Sequence, residues 1–399
     1  MKVLLLTPLY YIKGRPNLFH DTSAIHYLIK YWSQENEVKV IYTYPNPFRK
    51  SLRYLKKSER YYLRHGYEYN VDGINVNMYE VPLRYHQKML NKSQNKHIST
   101  QINNCLRKSG FNPDVIISHV PSFSIGYIDL LNLSVPKVAV LHQTDINRSM
   151  IDLSLINEFQ EKFDYSFARS QYIYNYFQKH KLSNLKTEVI SSGVKLPKHQ
   201  NTKSSFKDKE FFNILFVGKL IKRKRVHIIL KALQRLKEKF NFKFTIVGKG
   251  NEKRRLQKLV KKLDLQAHVV FKGEVSRKQV FLMMNNSDIF VMPSINETFG
   301  LVYLEAMSFG CITIGTKNEG IDGVIKNGIN GYLVEPRDET GTELSNILEK
   351  IMKKSRKSLL EISNNAINTA EIYNEQAMSN RYWNLIKGVI NDYYDVNVR

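Results

Sequence analysis

The sequence predicts an α/β protein with two domains, each built on a parallel β-sheet. Short apolar runs alternate along the 399 residues with longer stretches in which apolar residues recur at helical spacing. This alternation is typical of successive βα units. The apolar runs fall into two sets of six, and the polar segment 196–209 separates the sets. A chain of this length also fits two domains better than one.

The first set of runs predicts the strands of an N-terminal domain over residues 1–195. Each run is short and apolar, and a Gly, Pro, Ser or polar break separates it from the next helical stretch. The predicted strands are Val3–Thr7, Val38–Tyr42, Val115–Ser118, Lys137–Leu141, Tyr165–Ala168 and Thr187–Ile190.

The second set predicts a C-terminal domain over residues 210–377. Segment 196–209 contains one proline and few apolar residues, which is the composition of an exposed linker. Residues 378–399 begin with apolar side chains at helical spacing, and we expect this helix to pack back on the N-terminal domain. The predicted strands of the second domain are Asn213–Val217, Lys243–Val247, Val269–Lys272, Ile289–Met292, Ile312–Gly315 and Gly331–Val334.

The chain is strongly basic, with 61 Lys and Arg against 36 Asp and Glu and a formal charge of +25. The positive electrostatic field of such a chain attracts anions, so nucleic acid, an acidic membrane surface and phosphorylated substrates are all candidate partners. Cys105 and Cys311 are too few for a disulfide framework or a cysteine zinc site, which predicts a cytoplasmic location. No apolar run reaches the roughly 18 to 20 residues that span a bilayer. Any membrane association is therefore expected to be peripheral, on the inner face of the cell membrane.

The segment Val217–Arg225 (VGKLIKRKR) predicts a phosphate-binding turn. It follows a predicted strand and precedes a helix, where backbone N–H groups and the helix dipole favour an anion. Gly218 would let a ligand approach the backbone, and Lys219 and Lys224 would add positive charge. The same basic run would also suit a solvated surface or contact with nucleic acid.

A second polar segment, Pro293–Gly310, follows another predicted strand and contains Glu297 and Glu305. If a helix begins near Thr298 or Phe299, Glu297 lies at its start and Glu305 about two turns farther along. First-turn N–H groups suit a diphosphate, and carboxylates suit vicinal hydroxyls, so a nucleotide sugar would satisfy both. Taken alone, the two glutamates could equally be a helix-start charge and a solvated helix residue.

Together these motifs resemble glycosyltransferase family 4, the retaining, metal-independent enzymes with the GT-B fold and nucleotide-sugar donors. The strongest element is the pattern E-x7-E with an internal Phe-Gly, here Glu297 to Glu305. The resemblance implies that Glu297 is a catalytic residue that contacts the donor sugar and that Glu305 binds the ribose hydroxyls. It implies that the diphosphate is bound by the N–H groups of Thr298, Phe299, Gly300 and Leu301.

The family's G-R-L-x3-K-G pattern is similar to Gly218-Lys219-Leu220 followed by Lys224-Arg225. Lys219 stands where the family usually has Arg, and Arg225 stands where it has Gly. The resemblance implies that Gly218, Lys219 and Lys224 bind the donor. It also implies a catalytic role for the two lysines, which would stabilise the charge on the leaving diphosphate.

In the N-terminal domain, the resemblance makes His142 a catalytic candidate that touches the donor sugar. Asp145 is a candidate for orienting His142 or binding an acceptor hydroxyl. Gly14 is the glycine nearest the family's Gly pair after strand one and is a candidate for a phosphate or acceptor loop. The basic, aromatic tract Arg49–Arg64 would suit an anionic membrane surface or a lipid-phosphate acceptor, and equally a solvated basic face.

The resemblance thus implies a retaining hexosyltransferase with two Rossmann-like domains facing each other across a cleft. It would move a sugar from a nucleoside-diphosphate donor, a UDP-sugar in preference to a GDP-sugar, to a glycan or lipid-linked acceptor in bacterial surface polysaccharide biosynthesis. No metal, no further cofactor and no nucleic-acid partner is expected. Two alternatives remain open: a catalytically silent GT-B scaffold or partner subunit, and a basic nucleic-acid-binding protein.

Overall fold

The computed structural model describes residues 1–10, 24–46, 67–82, 89–182, 185–196, 206 and 211–397. Two sequence predictions, the Gly14 loop and the basic tract Arg49–Arg64, lie outside the described residues. The chain divides into two compact units. The first unit consists of residues 1–169, 173–192 and 376–399, and the second consists of residues 170–172 and 193–375.

The first unit is built on an eight-stranded sheet. Its strands are β1 (Lys2–Thr7), β2 (Glu37–Asn46), β3 (Tyr67–Val71), β4 (Ile74–Pro82), β5 (Val115–His119), β6 (Lys137–Leu141), β7 (Tyr165–Ala168) and β8 (Thr187–Val189). They lie in the order β3-β4-β2-β1-β5-β6-β7-β8, and all neighbours are parallel except the pair β3 and β4. The central strand β1 pairs with β2 through Val3 and Val38 and with β5 through Val3 and Val115.

The second unit is built on a six-stranded sheet in which every pair is parallel. Its strands are β9 (Phe211–Val217), β10 (Asn241–Val247), β11 (Val269–Gly273), β12 (Ile289–Val291), β13 (Ile312–Thr316) and β14 (Tyr332–Val334), in the order β11-β10-β9-β12-β13-β14. Each lies within two residues of its predicted bounds. The runs were recognisable because strands of a parallel sheet covered on both faces are apolar almost throughout.

Helices alternate with these strands, as the βα pattern predicts. In chain order they are α1 (Ala24–Ile29), α2 (Lys92–Ser109), α3 (Gln143–Ser149), α4 (Ser154–Lys162), α5 (Gln171–Lys179), α6 (Val226–Gln234), α7 (Lys253–Lys262), α8 (Arg277–Asn285), α9 (Leu301–Ser308), α10 (Thr342–Met352), α11 (Arg356–Ile372) and α12 (Glu375–Asn397). Within the described part of the chain, none of them is both long and apolar enough to cross a membrane.

The hairpin of β3 and β4 was missed by the strand prediction. Asp72 and Gly73 connect its strands with φ angles of 50° and 86°. A type I′ turn requires positive φ at both central residues, and Asp-Gly between strands is a strong hairpin signal. The signal is thus present in the sequence. It was overlooked because these two strands alternate polar and apolar residues instead of forming a continuous apolar run.

The last helix, α12, completes the core of the first unit. Tyr382, Trp383, Ile386 and Val389 recur at helical spacing and are buried in that core. The ring of Trp383 stacks on that of Trp32, with centroids 5.0 Å apart and planes 15° apart. The first unit is therefore assembled from two distant stretches of the chain.

Candidate active site

The predicted donor residues lie on loops that follow the strands of the second unit. Segment 218–225 follows β9, and segment 293–300 follows β12. The two loops are joined by a hydrogen bond in which the N–H of Ile295 donates to the carbonyl of Arg223 (3.0 Å). Open parallel sheets bind ligands at the carboxyl ends of their strands, so this edge of the sheet is the expected place for a site.

Glycines allow a third loop, after β10, to lie directly on the first. A Cβ atom on Gly248 would come within 1.9 Å of the carbonyl oxygen of Gly218, and one on Gly250 would come within 2.1 Å of that of Leu220. Gly248 also has a φ of 136°, which side chains rarely allow. The backbone at Gly218 is therefore fixed by the close packing of this third loop as well as by its own N–H bond to Val247 (3.0 Å).

Glu297 is the centre of a buried ion-pair cluster. Its Oε2 accepts hydrogen bonds from Lys224 Nζ, from Arg223 Nη1 (3.0 Å) and from Ser294 Oγ (3.2 Å). Burial alone would raise the pKa of Glu297, but Lys224 and Arg223 outweigh burial and hold the pKa below its ordinary value. Burial lowers the pKa of Lys224, and Glu297 opposes that change. Lys224 is thus engaged with Glu297, whereas Lys219 is exposed.

Glu319, which the sequence analysis missed, shapes the loop that carries Glu297. Its two carboxylate oxygens accept from the backbone N–H groups of Asn296 (2.9 Å) and Glu297 (2.8 Å). Asn296 has a φ of 54°, an uncommon value that Asn tolerates better than most residues. Glu319 is buried, and burial raises its pKa despite the two N–H donors. The side chain therefore acts as a positioning group for Glu297.

The helix that follows Glu297 begins later than predicted. The expected start near Thr298 or Phe299 is wrong, because α9 begins at Leu301 with Gly300 as its N-cap. Gly300 has a φ of 80°, and a Cβ atom there would lie 2.6 Å from the ring of Tyr303. Glu305 consequently lies just over one turn into the helix. Thr298 and Phe299 precede the helix, so the first-turn N–H groups belong to Leu301 and the residues after it.

Glu305 lies in the second turn of α9 with a largely buried carboxylate. Its side chain is 14% exposed, and Oε1 accepts a hydrogen bond from Arg277 Nη2 (2.6 Å). Burial raises the pKa of Glu305, and Arg277 opposes the increase. The carboxylate is held in a fixed position and has a second oxygen for a ligand hydroxyl.

Arg225, at the family's glycine position, adopts a left-handed backbone conformation with a φ of 54°. A glycine would adopt this conformation without strain. The side chain compensates by bonding across the unit: Nη2 donates to the Asp338 carbonyl (2.8 Å) and to Glu339 (3.1 Å). The substitution therefore keeps the turn and changes what anchors it.

His142, the candidate in the first unit, ends a buried chain of hydrogen bonds. Its Nε2 is 3.1 Å from His119 Nδ1, and His119 Nε2 is 3.2 Å from the Tyr382 hydroxyl. Burial lowers the pKa of both histidines well below the ordinary value, and the nearby Arg169 lowers it further. Both imidazoles are therefore neutral at pH 7. His119 and Tyr382 were missed, although His119 directly follows the predicted strand Val115–Ser118, just as His142 follows the predicted strand Lys137–Leu141.

Asp145 bonds the backbone of His142 through its side chain. Its carboxylate oxygens accept from the backbone N–H groups of His142 (2.8 Å) and Ser122 (3.1 Å), and the side chain is fully buried. It therefore holds two backbone turns together, one of which carries His142. Burial raises the pKa of Asp145 to about 6, an increase that the two N–H donors and Arg148 oppose.

We expect the stability difference between the parent and Asp145→Asn to depend on pH. Because the folded-state pKa of about 6 lies above the ordinary 3.8, the folded protein binds the proton more tightly. The parent should thus gain about 1 kcal/mol over the variant between pH 7 and pH 5. Urea unfolding followed by tryptophan fluorescence measures this, since Trp32 and Trp383, the two tryptophans, both lie in the first unit. A parent that loses stability relative to the variant on acidification would contradict the raised pKa.

Comparison with known proteins identifies the second unit. Residues 197–369 match the model of the family described as glycosyl transferases group 1. Residues 197–369 are a group 1 glycosyltransferase domain. The group 1 domain carries all the predicted donor residues, from Gly218 to Glu305.

Relatives and solved structures extend the likeness. The chain is 37% identical over 128 residues to N-acetyl-alpha-D-glucosaminyl L-malate synthase of Bacillus anthracis, covering 32% of this chain and 33% of the relative. It is 26% identical over 192 residues to the putative colanic acid biosynthesis glycosyltransferase WcaL of Salmonella typhimurium, covering 44% and 45%. These alignments thus span less than half of each relative.

The crystal structure of Anabaena HepE in complex with UDP-glucose matches 97% of this chain and 100% of its own, with a TM-score of 0.67 and 17% identity. This likeness and the two parallel sheets confirm the predicted fold class, α/β with Rossmann-like units of the GT-B type. Among the described residues, no group of three or more His, Cys, Asp or Glu side chains is arranged to hold a metal ion.

Proposed function

We propose that this protein is a retaining, metal-independent glycosyltransferase of family 4 that uses a nucleoside-diphosphate sugar. The observation that carries the proposal is the arrangement in the group 1 domain: Glu297 is held by Lys224 and Arg223 immediately before α9, and Glu305 lies in the second turn of that helix. One carboxylate before the helix and another in its second turn, with the helix N-terminus between them, suit a sugar, a ribose and a diphosphate respectively.

In this proposal the chain's own groups stabilise the departing nucleotide. Lys219 and the N–H groups at the start of α9 compensate the charge that develops on the diphosphate, which is the main electrostatic demand of the transition state. Lys224 shares its charge between Glu297 and the diphosphate. His142, neutral and buried, contributes a ring nitrogen for a hydrogen bond to the transferred sugar. Glu319 and Asp145 act only through the turns that they hold.

For the donor we propose a UDP-sugar, and for the acceptor a glycan or lipid-linked hydroxyl. Similarity supports both choices, because HepE was crystallised with UDP-glucose and WcaL is named for colanic acid biosynthesis. A thermal-shift screen tests the first choice, because a ligand that binds only the folded state raises the melting temperature. UDP and UDP-sugars should raise it more than GDP does. Failure of every nucleotide to do so would favour the alternative of a silent scaffold.

Activity should survive chelation. The charge on the diphosphate is compensated by lysines and backbone N–H groups in this proposal, so transfer in the presence of excess EDTA should proceed within about twofold of the untreated rate, a difference of less than about 0.5 kcal/mol in barrier. The measurement is sugar transfer from the preferred donor, with NMR of the product to establish its anomeric configuration. A loss of activity that Mg²⁺ or Mn²⁺ restores would contradict the metal-independent assignment.

A further inference from the structure

A basic cavity lies on the second unit, between helices α6 and α7 and the loop that carries Glu339. Its volume is about 430 Å³, within the range of small-molecule sites. Five cationic side chains line it together with Glu339: Lys222, Lys231, Arg255, Lys258 and Lys262. We call these six residues and the space between them the basic pocket. None of the six is a candidate donor residue.

The positive charge of the basic pocket is largely uncompensated. Among the described residues, no carboxylate lies within ion-pairing distance of Lys222, Lys231, Lys258 or Lys262; Lys231 Nζ donates instead to the Glu339 backbone carbonyl (2.7 Å). The Glu339 carboxylate is already bonded to Arg225, at 3.1 Å. Arg255 pairs with Glu252, at 2.9 Å. Four lysine charges therefore face the cavity without an acidic partner.

The spacing of these charges does not favour folding. Lys258 and Lys262 are four residues apart on α7, and Arg255 lies three residues before Lys258, so the three cations share one face of the helix. Like charges at this spacing destabilise a helix. The opposite face of α7 buries Leu256 and Val260 and holds the helix in place. A bound anion would relieve the repulsion on the exposed face.

His227 lies in the same positive field and lines the cavity. Burial lowers its pKa and the charges of Arg255 and Lys231 lower it further, whereas Glu339, whose Oε2 lies 4.0 Å from His227 Nε2, opposes the change. The imidazole is thus neutral at pH 7 and can turn a ring N–H toward an anion. Its ring signals also provide a spectroscopic probe, because an anion bound nearby would raise the pKa that the cations depress.

We propose that the basic pocket binds a small anion that carries two phosphate groups. A phosphate carries a charge of roughly −1.5 to −2 at pH 7, so two phosphates balance the four lysines, whereas one does not. Two sources supply phosphate groups, a free diphosphate compound and the headgroups of an anionic membrane. A phosphodiester headgroup carries only one negative charge, so more than two headgroups would be needed to balance the four lysines. The pocket adjoins the donor turn, because Lys222 lies in segment 217–225 and Glu339 bonds Arg225. The two sites share none of the candidate donor side chains, so anion binding here does not rest on the proposed glycosyltransferase activity.

The test compares two variants with the same change in charge. The pocket variant is the double substitution Lys258→Glu and Lys262→Glu, which reverses two charges in the pocket. The control is the double substitution Lys253→Glu and Lys261→Glu, which reverses two exposed charges of the same helix outside the pocket. Pyrophosphate is titrated calorimetrically into each protein in the presence of saturating UDP. We expect the pocket variant to lose affinity at least tenfold and the control to stay within twofold of the parent. In the parent, pyrophosphate should also raise the pKa of His227 in NMR titrations.

Three results would overturn the proposal: equal loss in both variants, no loss in the pocket variant, or complete displacement of pyrophosphate by UDP in the parent. Vesicles of phosphatidylcholine with and without phosphatidylglycerol then distinguish the source, because anionic lipids attract basic segments. If the pocket variant loses vesicle binding and the control keeps it, the site binds headgroups. If both bind vesicles equally, the site binds a free diphosphate. If UDP fails to bind any variant, the proposed activity fails while the comparison of variants remains decisive for the pocket.

Discussion

Replacing Glu297 with Ala should lower turnover by at least 100-fold and also destabilise the second unit. The first effect follows from the proposed contact with the donor sugar, since removing one preorganised transition-state interaction costs about 10²- to 10³-fold in kcat. The second follows from the buried ion pair: Lys224 would be left without its carboxylate, at a cost of about 3 kcal/mol. Binding of free UDP should stay within threefold of the parent. Steady-state kinetics, UDP titration and thermal unfolding measure the three quantities.

Two further variants separate these effects. Adding Lys224→Met to Glu297→Ala removes the unpaired buried charge, so stability should return while turnover stays low. Glu335→Ala breaks an exposed ion pair, 2.7 Å to Lys317, whose side chains are 47% and 52% exposed. Water screens such a pair, so this variant should keep the thermal stability of the parent. If Glu297→Ala retains full turnover, Glu297 is a structural anchor for Lys224 and no part of the catalytic machinery.

Replacing Glu305 with Ala should weaken UDP binding by about 10- to 150-fold. Hydrogen bonds to a charged group contribute roughly 1.5 to 3 kcal/mol, and the proposed pair to the ribose hydroxyls would be lost. Because burial raises the pKa of Glu305, the affinity of the parent should begin to fall at a higher pH than an ordinary glutamate would dictate, as the carboxylate takes up a proton. Calorimetric titration with UDP at pH 7.5 and pH 5.5 tests both statements.

The matched control for Glu305 is Glu349→Ala, which removes a helical glutamate of α10 that pairs with Lys353 (2.7 Å). Its UDP affinity should equal that of the parent. If Glu305→Ala binds UDP as tightly as the parent does at both pH values, Glu305 is not part of the nucleotide site. A uridine analogue that lacks the ribose hydroxyls should bind the parent and Glu305→Ala equally.

The strands of the second sheet could be predicted because each is a short segment rich in apolar residues, and the same holds for β6 and β7, whose bounds agree with the prediction. The start of α9 could not be predicted from the sequence in this way. Thr298 and Phe299 have no sequence feature that excludes them from a helix. What keeps them out is tertiary: a Cβ atom on Gly320 would lie 2.4 Å from the Thr298 carbonyl carbon, so that loop packs directly on the backbone before α9.

The supporting residues of the candidate site were harder to predict than the motif itself. Glu319 contacts the N–H of Glu297 from 22 residues away, and Tyr382 reaches His119 across 263 residues. Neither pair has a fixed spacing. The first depends on which strands are neighbours in the second sheet, and the second depends on where helix α12 packs on the first sheet. The resemblance indicated Glu297, Glu305 and His142, whereas their positions depend on residues that only the folded chain brings to them.

The discontinuous make-up of the first unit has a consequence for synthesis on the ribosome. About 180 residues, those of the second unit, lie between Ser192 and the helix that begins the third segment of the first unit at Gln376. At roughly 5 to 20 residues per second, this interval takes on the order of 10 to 40 s. Through that time the surface of the first unit that will receive Tyr382 and Trp383 stays open, and His119 lacks its hydroxyl partner. The nascent second unit can thus finish folding before the first, and the incomplete first unit is the form that chaperones and proteases would meet.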